Sequence, residues 1–170
     1  ATKRLADYQN KAYVASYLTR LENFKDHDPE LLEIVAKQLA LRMSYEDIIR
    51  VAQAKIRAER FNRIRNETSA DANDVVIVTE FFKPGVTEIS DLLPGGLAKS
   101  LIAWGERNNK MDNFGFGLEV KTSTITGFLK LWSLAKFKWW RPKSHRWQIE
   151  QANIEDWLEL VESAAAFNVN

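Results

Sequence analysis

Apolar residues recur at helical spacing along most of this chain, and this recurrence restricts its fold more than any other feature. Between Val14 and Leu21, apolar residues fall at i, i+3, i+4 and i+7, which places them on one face of a helix. The same spacing returns from Leu32 to Leu39, from Tyr45 towards Ile64, and from Ile154 to Ala165. The pattern therefore predicts several amphipathic helices that share a core.

Capping and helix-breaking residues indicate where some of these helices begin and end. Asp28-Pro29-Glu30 has the order of a helix start, with a capping acid, proline at the first position and an acid in the first turn. Ser44, with an acid three residues later, predicts a second start. A further helix is expected from about Thr124 to Trp140, where Pro142 would end it.

One segment has the composition of a strand. Val75 to Phe82 is rich in β-branched and aromatic residues and is followed by Lys83-Pro84-Gly85. Because one strand cannot form a sheet, it must pair elsewhere or stay extended. Gly115 and Gly117 predict a turn. We expect a mostly α fold, an irregular helical bundle with one short extended segment near Val75–Phe82, built as a single domain over residues 1–170.

Composition excludes several classes of site. The chain has no cysteine, so it contains no disulfide, catalytic thiolate or iron–sulfur ligand of its own. The longest apolar run, Ile125 to Trp140, is interrupted by lysines and is shorter than the roughly 20 residues that span a bilayer. We therefore expect a cytoplasmic protein with no membrane contact. Asp26-His27-Asp28 is expected to be a loop with a helix cap, and no metal site or catalytic residue is predicted.

Charge is distributed unevenly near the carboxyl end. Residues Val120 to Ile149 contain seven Lys or Arg, four tryptophans and no acid, whereas Glu150 to Asn170 contains five acids and no Lys or Arg. The basic, aromatic segment is interpreted first as internal packing, with Trp132 in the core and the acidic helix as its counterpart. The second interpretation is a partner surface, and nucleic-acid binding is the least favoured. The residues proposed for a partner surface are Lys130, Lys136, Lys138, Arg141, Lys143 and Arg146.

A short polar segment before the predicted Thr124 helix offers a second candidate site. Lys121, Thr122, Ser123 and Thr124 combine a cation and three hydroxyls with the free amides of a helix N-terminus. Such a group can hold a phosphate, including one of coenzyme A, or a carboxylate. An ordinary helix cap with a solvated Lys121 explains the same residues, and both interpretations stay open.

Three segments carry a family likeness: Gln38 to Ala52 (QLALRMSYEDIIRVA), Val78 to Val86 (VTEFFKPGV) and Gly117 to Trp132 (GLEVKTSTITGFLKLW). With the opening Leu5 to Gln9, they resemble the helical C-terminal region of long-form indolepyruvate oxidoreductase beta subunits. The likeness covers nearly the whole chain in the same order. It implies membership of a 2-oxoacid:ferredoxin oxidoreductase system, which decarboxylates arylpyruvates to aryl-acetyl-CoA.

The resemblance implies thiamine diphosphate, magnesium, iron–sulfur clusters and coenzyme A for the parent complex. The Gly-Asp-Gly motif and cluster cysteines of that family do not map onto this chain, so this region is expected to bind no cofactor and to be non-catalytic. It would be a fragment of a longer subunit that contacts the catalytic subunit, and ferredoxin indirectly, or covers the substrate or coenzyme A channel. The alternative is a stand-alone helical module that binds anions or nucleic acid.

Overall fold

The computed structural model describes residues 1–111, 115 and 117–167 of the chain. Within these residues the protein is mostly α, with nine α-helices, two short 3-10 helices and one small antiparallel sheet, which confirms the predicted fold class. The elements are α1 Thr2–Tyr8, α2 Lys11–Glu22, α3 Pro29–Arg42, α4 Ile48–Lys55, α5 Ala58–Glu67, β1 Thr79–Phe82, α6 Val86–Leu92, α7 Gly95–Arg107, β2 Leu118–Lys121, α8 Ile125–Lys136, the 3-10 helices Phe137–Trp139 and Arg141–Lys143, and α9 His145–Phe167.

The chain divides into two compact units. The first contains Ala1–Tyr45 together with the chain from Arg146 onward, and the second contains Glu46–His145. The first unit therefore draws its helices from both ends of the sequence. The expectation of one domain over residues 1–170 stays a prediction.

The first unit is built around α1, α2, α3 and the buried side of α9. Tyr8, Phe24 and Leu39 lie in its core together with Ile154 and Leu158 of α9, as the spacing on that helix predicts. The Tyr17 hydroxyl donates to the carbonyl of Ala36 at 3.0 Å, and burial raises the pKa of this phenol. On α2 the prediction is partly wrong, because Leu18 is exposed.

Polar contacts of Arg20 also join α2 to α9. Its Nε donates to Glu155 at 3.1 Å and its Nη2 donates to Gln151 at 3.1 Å. Asn23 at the end of α2 donates to Glu162 at 2.7 Å. Acids of the last helix therefore have partners within the first unit.

The described part of the second unit contains the sheet, the five α-helices α4 to α8 and both 3-10 helices. β1 and β2 pair antiparallel, with Thr79 opposite Lys121 and Phe82 opposite Leu118. The strand prediction at Val75–Phe82 is confirmed in position, but the strand itself begins at Thr79. The sequence does not predict a strand at β2, since four residues give too short a pattern to recognise. α8 packs against α4, and α6 packs against α7.

Glu80 fixes β1 to the helices before it. Its side chain is nearly buried, and its Oε2 accepts from Lys55 Nζ at 2.6 Å while its Oε1 accepts from Arg60. Lys55 ends α4, and Arg60 lies in the first turns of α5. One carboxylate thus joins three elements, which is a structural role rather than that of an acid or base.

Several predicted boundaries differ from the structure. The cap of α4 is Asp47, whose side chain accepts from Arg50 N, whereas Ser44 donates to the carbonyl of Ala40. The single helix predicted towards Ile64 is two helices, with a break at Ile56 and Arg57. The predicted turn at Gly115 and Gly117 is only partly visible, since its neighbours Phe114 and Phe116 lie outside the described residues.

Gly127 is required where α8 approaches β2. A Cβ at this position would overlap the carbonyl oxygen of Lys121, the last residue of β2. Backbone atoms cannot yield as a flexible side chain can, so any larger residue must displace the start of the helix. The close approach explains why glycine stands in the first turn of a helix that otherwise carries large apolar residues.

Replacing Gly127 with alanine should lower the free energy of unfolding by about 1–3 kcal/mol, as expected for an overpacked site. Urea denaturation monitored by circular dichroism would measure this. Gly96→Ala on α7 is the matched control, because no atom apart from its chain neighbours and the backbone of its own helix lies within 4 Å of a Cβ there. It should leave stability unchanged or raise it by up to about 1 kcal/mol. Equal effects of the two substitutions would contradict the steric explanation.

Candidate partner-binding surface

A buried arginine anchors the chain immediately after α8. Arg141 is fully buried, and its Nε donates to Asp47 Oδ2 at 2.6 Å while its Nη2 donates to Asp47 Oδ1 at 3.1 Å. The same carboxylate accepts from the backbone of Arg50 at 2.6 Å and so caps α4. The two-point geometry fits the planar guanidinium and fixes its orientation.

Further hydrogen bonds hold the same turn against the end of α6. The indole of Trp140 donates to the carbonyl of Leu92 at 2.9 Å, and the backbone of His145 donates to Leu93 at 2.7 Å. Ser144 donates to the carbonyl of Arg141 at 2.8 Å and closes the turn. Because residues 140, 141 and 144 point inward, Trp139 between α8 and this anchor is left 61% exposed.

An exposed set of aromatic rings and lysines lies along α8 and the turns that follow it. We call it the aromatic–lysine surface. Trp139 stacks on Phe137, with 5.8 Å between ring centroids, and both rings are exposed. Its members are Trp132, Phe137, Trp139, Lys130, Lys136 and Lys143. The prediction that Trp132 lies in the core is wrong: the buried side of α8 is carried by Leu131 and Ala135.

Two of the three lysines of this surface, Lys136 and Lys143, lie over rings. Lys136 Nζ is 5.1 Å from the centroid of Trp132, and Lys143 Nζ is 5.9 Å from that of Trp139. Cations within about 6 Å of a ring face are attracted to it. Within the described part of the second unit, no carboxylate lies within ion-pair distance of Lys130, Lys136 or Lys143. Their charge is therefore available to an external anion.

The other predicted surface residues divide between the surface and the interior. Lys138 is half-buried beside the aromatic–lysine surface. Arg146 belongs to the first unit, where it pairs with Glu150 at 2.5 Å and lies 5.8 Å from the Tyr45 ring centroid. The prediction that Arg141 lies on a partner surface is wrong, because a fully buried side chain cannot contact a partner. Asn168 to Asn170, the end of the acidic run, lie outside the described residues.

The Lys121–Thr124 segment serves the fold through its hydroxyls. Thr124 caps α8 by accepting from Gly127 N at 3.2 Å, and Ser123 accepts from Val78 N at 3.1 Å. Thr122 is buried, and both its amide and its hydroxyl donate to the carbonyl of Val78. All three hydroxyls thus have intramolecular partners, and Lys121 is exposed. This geometry favours the capping interpretation over a phosphate site.

An open apolar groove of about 490 Å³ lies beside this segment. It runs between the end of α5, the extended chain before β1 and the start of α8. Arg65 at its border donates to the backbone carbonyl of Asp74 at 3.2 Å and to that of Asp71. Sequence reasoning missed the groove because its walls come from three separate segments. The residues lining it include Phe61, Val76, Val78, Ile125, Phe128 and Leu129.

The comparisons with known proteins place this chain in a family. The model of a family of unknown function, DUF6537, matches residues 1–169. The chain belongs to DUF6537. No curated protein and no solved structure matches it. The matched region contains every element described above, so the aromatic–lysine surface lies within the family's own domain.

The described side chains of this DUF6537 member offer no cluster of metal ligands. No group of three or more His, Asp or Glu that could hold a metal ion occurs among them. None of the helices that the structure describes has the length and apolar character required to cross a bilayer. The aromatic–lysine surface is the candidate site that the described residues offer.

Sequence reasoning also missed the ion pair that positions this surface. Asp47 and Arg141 are separated by 94 residues, and no local pattern joins them. The available signal was that Asp47, like Ser44, stands before an apolar helix and is a good capping residue. A cap predicted at Asp47 would have placed a carboxylate at the start of α4, where a buried cation can pair with it.

Asp47→Asn should lower the free energy of unfolding, because the buried guanidinium of Arg141 would lose its compensating charge. Breaking a buried pair in this way costs about 3–5 kcal/mol, while asparagine still caps α4. Urea denaturation would report the loss, and the fluorescence of Trp140 and its neighbours would report the turn. Lys143→Met is the control, since this exposed cation has no carboxylate partner among the described residues, and stability should change by less than about 0.5 kcal/mol.

Proposed function

We propose that this chain is an accessory domain of an indolepyruvate:ferredoxin oxidoreductase-like subunit and that it contacts the catalytic subunit through the aromatic–lysine surface. Support comes from two sides. The segments Gln38 to Ala52, Val78 to Val86 and Gly117 to Trp132 resemble the C-terminal region of such subunits. The exposed rings and lysines offer a surface on which a partner can dock.

The observation that carries this proposal is the exposure of Trp139 beside Phe137. Aromatic residues are enriched at the centre of protein interfaces, where a few of them supply most of the binding energy. The turn that presents Trp139 is fixed by Arg141 and Trp140. A ring held in place before binding loses little conformational entropy when a partner covers it.

The lysines indicate the chemistry of the partner. Lys130, Lys136 and Lys143 are exposed on the same segment as the rings and have no acidic partner in the described part of their unit. Charges at the rim of an interface mainly steer association and select partners of opposite sign. We therefore propose an acidic face on the catalytic subunit. The phosphates of coenzyme A at the mouth of a channel are the second acidic ligand that this surface fits.

The cofactors of the proposed parent complex do not fit this chain. Iron–sulfur clusters need cysteine ligands, and the chain has none. The Gly-Asp-Gly motif expected for thiamine diphosphate and magnesium is also absent from the sequence. Under this proposal the chemistry takes place on other parts of the complex, and no reaction step is assigned to this domain.

The triple substitution Lys130→Glu, Lys136→Glu and Lys143→Glu tests the partner surface. We expect the dissociation constant for the catalytic subunit of an indolepyruvate oxidoreductase to rise at least tenfold, mainly through slower association. Surface plasmon resonance at two salt concentrations would separate the two rates. The matched control reverses Lys11, Lys25 and Lys99, three lysines exposed elsewhere, and should leave binding within about twofold.

A single aromatic substitution, Trp139→Ala, distinguishes docking from simple charge attraction. Loss of a central aromatic residue costs about 2 kcal/mol or more, so we expect about a thirtyfold weaker complex. If the wild-type chain does not bind the catalytic subunit at all, the accessory-domain proposal is wrong. If it binds and all variants bind equally well, the assigned surface is wrong.

The nucleic-acid alternative makes a different prediction for the same surface. Exposed Trp139 and the lysines near it have the chemistry of a single-strand platform, on which bases stack and phosphates pair. Single-stranded oligonucleotide would then bind with a log–log salt slope of roughly −2, for three lysines. Tight binding of this kind, without binding of the catalytic subunit, would replace the proposal by this alternative.

A further inference from the structure

One edge of β1 has no hydrogen-bonding partner among the residues that the structure describes. Backbone groups of successive residues in an antiparallel pair point alternately towards and away from the partner strand. Thr122 N donates to the carbonyl of Val78, so the even-numbered residues of β1 bond towards β2. The backbone groups of Ile77, Thr79 and Phe81 therefore face the opposite, open edge.

The side chains along this edge are apolar and exposed. Val75 is 88% exposed, Ile77 67% and Phe81 79%, and their alternate spacing places them on one face of the extended segment. Residues 75–82 contain no glycine or proline. Natural proteins usually protect such edges with charge, proline or a covering element, because they template pairing with another strand.

We propose that this edge pairs with the same edge of a second copy of the chain. The two β1 strands would run antiparallel about a two-fold axis at Thr79. Thr79 then lies opposite its own equivalent, and Ile77 lies opposite Phe81 in both directions. These are hydrogen-bonded pairs, so the outward N–H and C=O groups of all three residues find partners.

Charge and symmetry favour a second copy over another protein. The one charged side chain in residues 75–82 is Glu80, and it points to the other face, where Lys55 and Arg60 neutralise it. An edge without charge offers nothing to select a charged partner, whereas its antiparallel self-pairing sets an aliphatic residue beside an aromatic one. The interface is isologous and closes at two copies.

Pairing would also enlarge a small sheet. Two four-residue strands need a third strand or helix packing for stability, and here α8 packs on β2 while Glu80 joins β1 to α4 and α5. Pairing of two copies makes a sheet of four strands, with Ile77 and Phe81 of both copies side by side on one face. This inference is independent of the aromatic–lysine surface and of the proposed oxidoreductase partner.

Sedimentation velocity of the 170-residue chain over a wide concentration range tests the pairing. We expect a concentration-dependent dimer. Thr79→Pro removes an outward N–H without touching the bonds to β2, and Phe81→Lys places a charge on the edge; each should raise the dimer dissociation constant at least a hundredfold. The controls are Thr79→Val, which keeps the N–H, and Leu160→Lys at an exposed position of α9; both should still dimerise.

The results that overturn the pairing are equally definite. A wild-type chain that stays monomeric at all concentrations refutes it, and so does a dimer that Phe81→Lys leaves intact. Circular dichroism and thermal melting show whether each variant is folded. If Thr79→Pro unfolds, Phe81→Lys decides alone, since that side chain is mostly in solvent. Amide exchange gives a second readout: Ile77, Thr79 and Phe81 should be protected in the dimer, whereas uniform exchange there would count against the edge.

Discussion

The bidentate pair between Arg141 and Asp47 is the interaction on which the candidate surface depends. A guanidinium with no solvent exposure is tolerated only where its charge and donors are matched, and Asp47 supplies both oxygens. The same carboxylate caps α4, so its charge also interacts favourably with the positive end of that helix. One side chain thus fixes the start of α4 and the turn after α8. The geometry of that turn directs Trp140 inward and Trp139 outward.

In the segment from Val120 to Ile149, which contains no acid, arginines and lysines have different roles. Both arginines are used within the fold: Arg141 pairs with Asp47, and Arg146 pairs with Glu150. Lys136 lies over the Trp132 ring and Lys143 over the Trp139 ring, and both keep their charge available. This division follows from the chemistry of the two side chains, since a planar guanidinium can satisfy a buried carboxylate at two points, whereas an ammonium is strongly hydrated and favours the surface. A count of positive charges in the sequence therefore overstates the charge that a partner would meet.

The sequence predicts features that depend on neighbouring residues, such as helices and their caps. It does not predict features that depend on contacts between distant residues. The helices were predicted because an apolar face repeats within each segment, and Pro29 and Thr124 mark two of the starts where expected. The break at Ile56 and Arg57 was missed because apolar spacing continues across it. The burial of Arg141 and the exposure of Trp132 depend on which neighbour each side chain meets, and spacing along one helix cannot rank two faces that both carry apolar residues. The groove and the pairing of β1 with β2 were inaccessible for the same reason.

The second unit presents two exposed surfaces whose chemistry differs, and salt should therefore affect them in opposite directions. Binding through Lys130, Lys136 and Lys143 relies on charge, and screening weakens it as ionic strength rises. Pairing along Ile77, Thr79 and Phe81 relies on backbone hydrogen bonds and apolar contact, which salts such as sulfate strengthen. The two proposed associations use different side chains, so a substitution in one set should leave the other association intact. The two associations are then separable in one preparation by ionic strength alone, without any substitution.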